Sequence, residues 1–482
     1  LICIPLMGQS TYKPDWESID KRPVPAWFEN AKFGIFIHWG LYSVPAWSPK
    51  GTYSEWYKYW LDKKTLMGNG NFTGTEIYDY HRKMYGEDFT YADFAPMFKA
   101  LSYDPEEWAD LFEHSGAKYV VLTTKHHDGF ALWPSREASI SYGRPWNSME
   151  IGAHRDLVGE YVNALRKTDI KVGCYFSLRE WDNPLYNKET MDLFYERHWF
   201  PQLQDLVNRY KPDLIWADGP DQINDKQWQA ERTLAWLYSE SPVKDSIVVN
   251  DRWANNTGKK HGDYYTREYS NTNSSYNKPW EECRGIGLSF GYNQNEDLGD
   301  YTSPKALILT LVNIVSQGGN LLLDIGPNAN GKIPPIMQER LLQIGKWLKV
   351  NGEAIYGTRA GGNFCQWSKG SKEWKSKEKH YVSGDAILKQ TVDPDPGYAV
   401  KEVFFTKKGN NVYAILPRYP KNKIVLKDIQ TTGRTKITLL GSDKKVQWKQ
   451  KGNDIEVIMP LLYVDELPCD YAWVLKLEKI SE

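Results

Sequence analysis

The sequence predicts an α/β fold, a (β/α)8-like barrel of the TIM type, followed by a C-terminal antiparallel β-sandwich. Three observations predict it. Up to about residue 350, short β-branched or aromatic runs alternate with helical patterns, which argues for βα units and a parallel sheet. After about residue 356 the texture changes to short strands at roughly 10-residue spacing, separated by Lys-Gly-Asn and Gly-Ser-Asp turns. The 482 residues accommodate both parts, since single α/β barrels routinely reach ~250 residues and can exceed ~400 with insertions. The expected division is a barrel over 1–357 and a sandwich over 358–482.

The barrel strands are expected at 33–39, 119–124, 171–177, 214–218, 246–250, 263–265, 288–290 and 321–325. Helices lie between them. Asp104, followed by Pro105, opens one as an N-cap with Pro at the first helical position, and Gly116 closes it. Others are expected over 156–167, 191–210, 226–238, 304–316 and 335–350. In the tail, strands are expected at 403–406, 412–416, 424–426, 437–440, 455–459 and 473–477.

Composition narrows the function classes. Lys+Arg is 60 and Asp+Glu 61, a net charge of −1, so no basic field is available to hold nucleic acid. Hydrophobic residues make up 41%, enough for a large core. Aromatic residues, with 21 Trp, 31 Tyr and 16 Phe, reach 14%, and such rings serve either to pack cores or to stack on the C–H faces of sugars. The five cysteines are scattered without a CxxC pair and form neither a zinc framework nor a disulfide scaffold. No run approaches the ~18–20 apolar residues of a membrane span. The short apolar stretch at 1–9 reads as the tail of a signal peptide, so a secreted or periplasmic location is expected.

In a barrel of this kind, residues just past the C-terminal strand ends build the active site. Those positions hold His38-Trp39, Lys125-His126-His127-Asp128, Ser177 through Glu180-Trp181, Trp216-Ala217-Asp218 and Asn250-Asp251-Arg252. Three chemistries compete for them. A metal site on His126, His127 and Asp128 is disfavoured, because adjacent strand residues point to opposite faces. A serine nucleophile elbow matches by letter at 287–291, but no helical pattern follows it before Pro304, and the only later histidine is His380. Paired carboxylates remain, as glycoside hydrolysis with retention requires a nucleophile and a proton donor, and Asp218 beside Trp216 suits the first.

Several segments together resemble glycoside hydrolase family 29, the α-L-fucosidases. They are Phe33-Gly34-Ile35-Phe36-Ile37-His38-Trp39-Gly40, Glu55-Trp56-Tyr57, His126-His127-Asp128-Gly129-Phe130, Trp216-Ala217-Asp218-Gly219, Trp280-Glu281, Ser289-Phe290-Gly291-Tyr292-Asn293 and the run from Gly318 to Pro327. The matches extend over roughly 25–357 in chain order. The resemblance implies a barrel that is often imperfect and a retaining mechanism in which Asp218 is the nucleophile. It places the acid/base at Glu268, in Asp263-Tyr264-Tyr265-Thr266-Arg267-Glu268-Tyr269, with Glu281 as the alternative. It also implies a sugar-binding shell of His38, Glu55, Trp56, His126, His127, Tyr175, Trp216, Arg252 and Phe290. The implied substrate is a fucosylated oligosaccharide or polysaccharide, with no metal and no other cofactor. L-Fucose is 6-deoxy-L-galactose, so an α-L-galactosidase acting on algal-type polysaccharide is the alternative. A non-catalytic glycan-binding protein is a third reading, opposed by the presence of both carboxylates.

Overall fold

A computed structural model of the chain describes residues 11–66, 72–219, 223–270, 276–375 and 386–481; the 1–9 stretch lies outside the described residues. Eight strands form one sheet: β1 (Phe33–Ile37), β2 (Tyr119–Lys125), β3 (Lys171–Ser177), β4 (Leu214–Asp218), β5 (Val248–Val249), β6 (Tyr265–Glu268), β7 (Trp280–Gly285) and β8 (Asn320–Ile325). Every neighbouring pair is parallel, in the order β5-β4-β3-β2-β1-β8-β7-β6. The sheet is therefore a TIM-like barrel left open along one seam, since no β5–β6 ladder joins its edges among the described residues.

Side chains close that seam. Asp251, just past β5, accepts from Thr266 N at 2.9 Å and Thr266 Oγ1 at 2.7 Å on β6. Asp263 Oδ2 accepts from Val249 N at 2.9 Å, and Arg22 ties Asp263 to the Ile247 carbonyl. Gly262 turns between them at φ +91, where a Cβ would lie 2.4 Å from the Asn250 carbonyl oxygen, so only glycine fits.

Helices cover the outside: α1 (Pro105–Ser115), α2 (Leu157–Leu165), α3 (Phe200–Tyr210), α4 (Ala230–Ser239), α5 (Pro304–Ser316) and α6 (Pro335–Asn351). The cap signals act as read. Asp104 accepts from the N–H groups of Glu106 and Glu107, and Gly116 ends α1 in the left-handed region. The helical stretch expected at 191–210 is continuous but carries a π-helical turn at Tyr195–Trp199.

The C-terminal part has a five-stranded and a three-stranded antiparallel sheet, in the orders β13-β16-β11-β10-β9 and β12-β15-β14. These strands are β9 (Arg359–Trp367), β10 (Lys401–Lys408), β11 (Asn411–Leu416), β12 (Lys423–Leu426), β13 (Thr431–Leu439), β14 (Gln447–Lys451), β15 (Asp454–Ile458) and β16 (Trp473–Ile480). Phe405, Leu416, Leu426, Leu439, Val457 and Leu475 fill the space between the sheets. The sandwich packs on α5 and α6: Trp347 Nε1 donates to the Ala472 carbonyl at 2.8 Å, and Lys401 Nζ to Asn313 Oδ1 at 2.6 Å.

Two expectations are corrected. The seventh barrel strand is Trp280–Gly285, not 288–290, which is a bend. The strand is buried: Glu281 points into the barrel, and Glu282 pairs with Arg284 on its other face. Strands β9 and β14 are absent from the predicted set because neither has a fully buried position, so no apolar period marks them. Cys174, Cys283, Cys365 and Cys469 are free, and among the described residues no helix is long and apolar enough to cross a membrane.

Candidate active site

Parallel strands place their last residues at one end of the barrel. There a cavity of about 200 Å³ is lined by His38, Glu55, Trp56, His126, His127, Tyr175, Trp216, Asp218, Arg252, Glu268 and Phe290. Of the residues that the family resemblance assigns to the site, Glu281 alone is absent from this lining, and of the strand-end residues Trp39, Asp128, Ser177, Glu180, Trp181, Asn250 and Asp251 also lie outside it. A groove of about 440 Å³ on the sandwich, walled by Gly361, Gly362 and Lys427, holds no comparable cluster of buried ionisable groups.

Asp218 ends β4 and is the hub of the polar contacts. Tyr175 donates its hydroxyl hydrogen to Asp218 Oδ2 at 2.8 Å, Arg252 Nη2 lies 3.0 Å from Oδ1, and His127 Nε2 lies 3.3 Å from Oδ2. Burial alone would raise its pKa, but the Arg252 guanidinium holds it well below the usual carboxylate range. Glu268 ends β6, and Tyr269 behind it sits at φ 45, a left-handed turn that ends the strand with the carboxyl at the mouth. Arg252 Nη1 reaches Glu268 Oε2 at 3.4 Å, so one guanidinium touches both carboxyl groups. Glu268 titrates above its ordinary value through desolvation by the pocket walls, which outweighs Arg252, with Asp218 adding to the rise.

Depth separates the two candidate acids. The β6–β7 register sets Thr266 beside Glu281 and Glu268 beside Cys283. Glu281 is thus two residues, ~6.5 Å, further from the strand ends. It is 1% exposed, against 33% for the Glu268 side chain, and accepts from Tyr119 OH at 2.6 Å and Trp216 Nε1 at 2.9 Å. Gly34 makes this possible, because a Cβ there would lie 2.5 Å from the Tyr119 ring. Burial pushes the Glu281 carboxyl up to about 7, and its role in the fold is to hold Trp216 in place.

The remaining wall is aromatic and neutral. His38 donates or accepts through Nδ1 to Asp324 Oδ1 at 2.5 Å, and burial pulls its pKa down to about 3. Phe290 stacks on His38, Tyr53 and Tyr269 with centroids 5.0, 5.7 and 5.6 Å apart. Glu55 accepts from Gly291 N at 2.9 Å, has Oε1 without a hydrogen-bond partner, and is pushed by burial to about 7. His126 and His127 both face the cavity, because they follow β2, where strand alternation no longer applies. Among the described residues, no three His, Cys, Asp or Glu side chains converge as metal ligands would. Ser289, the lettered nucleophile, is buried and donates to the Gly291 carbonyl at 2.7 Å.

The chain matches the family model described as Alpha-L-fucosidase over residues 5–353, and the one described as Alpha-L-fucosidase C-terminal domain over 398–478. The chain belongs to the α-L-fucosidase family. It is 44% identical to the tissue α-L-fucosidase of Homo sapiens over 480 residues, 98% of this chain and 92% of that protein. It is 39% identical to the α-L-fucosidase of Branchiostoma floridae, again over 98% of this chain and 97% of that one. The Thermotoga maritima α-fucosidase in complex with fucose superposes with a TM-score of 0.74 at 34% identity, covering 97% of this chain and all of that chain.

Phe36, Tyr53, Trp60, Arg179 and Cys283 also line the fucosidase cavity. Phe36 lies two residues before His38 on β1, a period-2 signal that was there to use. Cys283 was hidden by the misplaced seventh strand. Arg179 flanks Glu180, whose carboxylate is fully buried and paired with Lys125 and with His198, 2.7 Å away in the π-helical turn. Burial would raise the Glu180 pKa, but His198 and Lys125 drive it far below the usual range. Lys125 directly precedes the histidine pair, so this clamp joins the β2 and β3 loops behind the site.

Proposed function

We propose that the chain is a retaining exo-glycosidase releasing terminal α-L-fucose from oligosaccharides or polysaccharides. Asp218 attacks the anomeric carbon while Glu268 protonates the departing oxygen. Water then cleaves the fucosyl–aspartate, with Glu268 acting as base. The observation that carries this reading is the single guanidinium of Arg252 on both Asp218 and Glu268, at the ends of β4 and β6. Arg252 holds Asp218 ionised as a nucleophile, while burial, outweighing the same guanidinium, raises Glu268 toward the protonated form a donor needs.

The shell supports a neutral sugar. The imidazoles of His38, His126 and His127 are all kept from charging, first by burial, so they meet hydroxyls as neutral donors or acceptors. The cavity is smaller than the ~300–1,000 Å³ of sites for drug-sized ligands, as suits one terminal sugar ring. Phe290 and its stacked neighbours offer an apolar wall for the C6 methyl. We assign the chemistry to 1–357 and a covering role to 358–482.

The test is turnover of an aryl α-L-fucoside beside the matching α-L-galactoside, for the wild type and Asp218→Ala. Loss of turnover by several orders of magnitude in the variant, with fucoside preferred by the wild type, is expected. Wild-type-like turnover by Asp218→Ala overturns the nucleophile, and preference for the galactoside overturns the sugar.

A further inference from the structure

Ser177 ends β3, and its Oγ donates to the Arg179 carbonyl at 2.6 Å, using the only hydrogen a hydroxyl has. The same oxygen lies 2.5 Å from His127 Nδ1 and meets it as an acceptor, so Nδ1 carries the ring proton. In the neutral ring Nε2 is then a bare lone pair. It faces two groups of opposite sign: Asp218 Oδ2 at 3.3 Å and Arg179 Nη2 at 3.1 Å. A second proton would let Nε2 donate to Asp218 and form an imidazolium–carboxylate pair. A guanidinium has donors only, so it favours Nε2 as an acceptor. Arg179 Nε–H also points at Nδ1 from 3.4 Å, a longer contact that competes with the ring proton there, so the closer Nη2–Nε2 contact carries the effect.

Whichever neighbour prevails decides whether Asp218 meets one cation, Arg252, or a second, the His127 imidazolium. Resting on the reading of Asp218 as nucleophile, we propose that Arg179 is a positioning residue that holds His127 in its neutral Nδ1–H form and so keeps the Asp218 carboxylate free of an imidazolium partner. The other groups around His127 do not replace it. His126 is a neighbouring imidazole with its centroid 4.4 Å away, and the Tyr175, Trp56 and Trp181 rings are uncharged. Arg252 adds a cation from the β5 side but is engaged by Asp218, Glu268 and the Trp216 face. Burial also disfavours a charged ring, and Arg179 is the largest charged contributor in the same direction. The Glu180 clamp fixes the backbone that aims Arg179, and the Trp56 ring lies 5.0 Å beneath its guanidinium.

The experiment compares the full chain with Arg179→Leu, Arg179→Gln and Arg179→Lys between pH 4 and 8, following ring-15N-labelled histidines by NMR and kcat/KM on an aryl α-L-fucoside. In the Leu and Gln variants the His127 titration is expected to rise by about one pH unit or more, and the acid limb of kcat/KM to rise with it. That is about tenfold less activity near the limb, relative to each variant's own plateau. Arg179→Lys, which keeps a cation, is expected to restore most of the wild-type profile. A residue that merely supports the fold would lower activity equally at every pH. An unchanged His127 titration in well-folded Leu and Gln variants overturns the proposal. If Asp218→Ala keeps turnover while the His127 titration still shifts, the nucleophile reading fails and the hold of Arg179 on His127 stands.

Discussion

The indole N–H of Trp216 donates to Glu281 Oε1 over 2.9 Å, and this bond settles what kind of carboxyl Glu281 is. It is a buried acceptor under the pocket floor. Its pKa is raised to about 7, so the folded state binds its proton more tightly than the unfolded chain does. The stability it contributes is fully present below the unfolded value near 4.5 and is lost as pH rises through 7. Thermal melts of wild type and Glu281→Gln across pH 4–8 should diverge in that window, with the variant flatter. The divergence is at most about 3 kcal/mol on a linkage of ~1.4 kcal/mol per unit. Parallel curves would place the titration elsewhere.

Glu268 gives a different signature. A proton donor matters in proportion to the basicity of the group that leaves, and general acids contribute typically about 10²–10⁴-fold. Glu268→Ala should therefore lose that much kcat on an alkyl or oligosaccharide α-L-fucoside and far less on a dinitrophenyl fucoside. Equal losses on both would remove it from the acid role.

The pH–rate profile follows from the same pair. His127 is pulled down to about 4 and Asp218 is held well below the ordinary range, so the acid limb lies low and follows His127; Glu268 is raised, so activity persists upward and falls as pH passes its pKa. In Glu268→Gln the basic limb is expected to vanish, read on an activated substrate that needs no proton.

Lys125 and Glu180 are both completely buried and paired. Removing Glu180 strands Lys125 and leaves His198 without its partner at 2.7 Å, so Glu180→Ala should cost about 3–5 kcal/mol in denaturant unfolding, and Glu180→Gln, which keeps an acceptor, should cost less.

The barrel, the sandwich and the pocket-lining shell could be read from the sequence because they leave local traces: Asp218 follows an apolar strand, and Asp104 caps a helix. Strand β7 left none, since Glu281 and Glu282 are satisfied by Tyr119 and Arg284, partners distant in the chain or off the strand's apolar period. For the same reason the depth difference between Glu268 and Glu281 was invisible until the β6–β7 register was known. Arg179 was within view as part of the run 177–181, but its meaning depends on which atoms of His127 it meets.

The missing β5–β6 ladder has a consequence for how this enzyme could be retuned. Asp218 belongs to a strand hydrogen-bonded on both sides, whereas Glu268 belongs to a sheet edge fastened across the gap by Asp251 and Asp263. The spacing between the two carboxyls is thus a pocket dimension governed by replaceable side-chain ties instead of a backbone ladder. Substitutions at Asp251, Thr266 and Gly262 would act as adjusting screws on leaving-group geometry while the sugar-holding wall stays fixed.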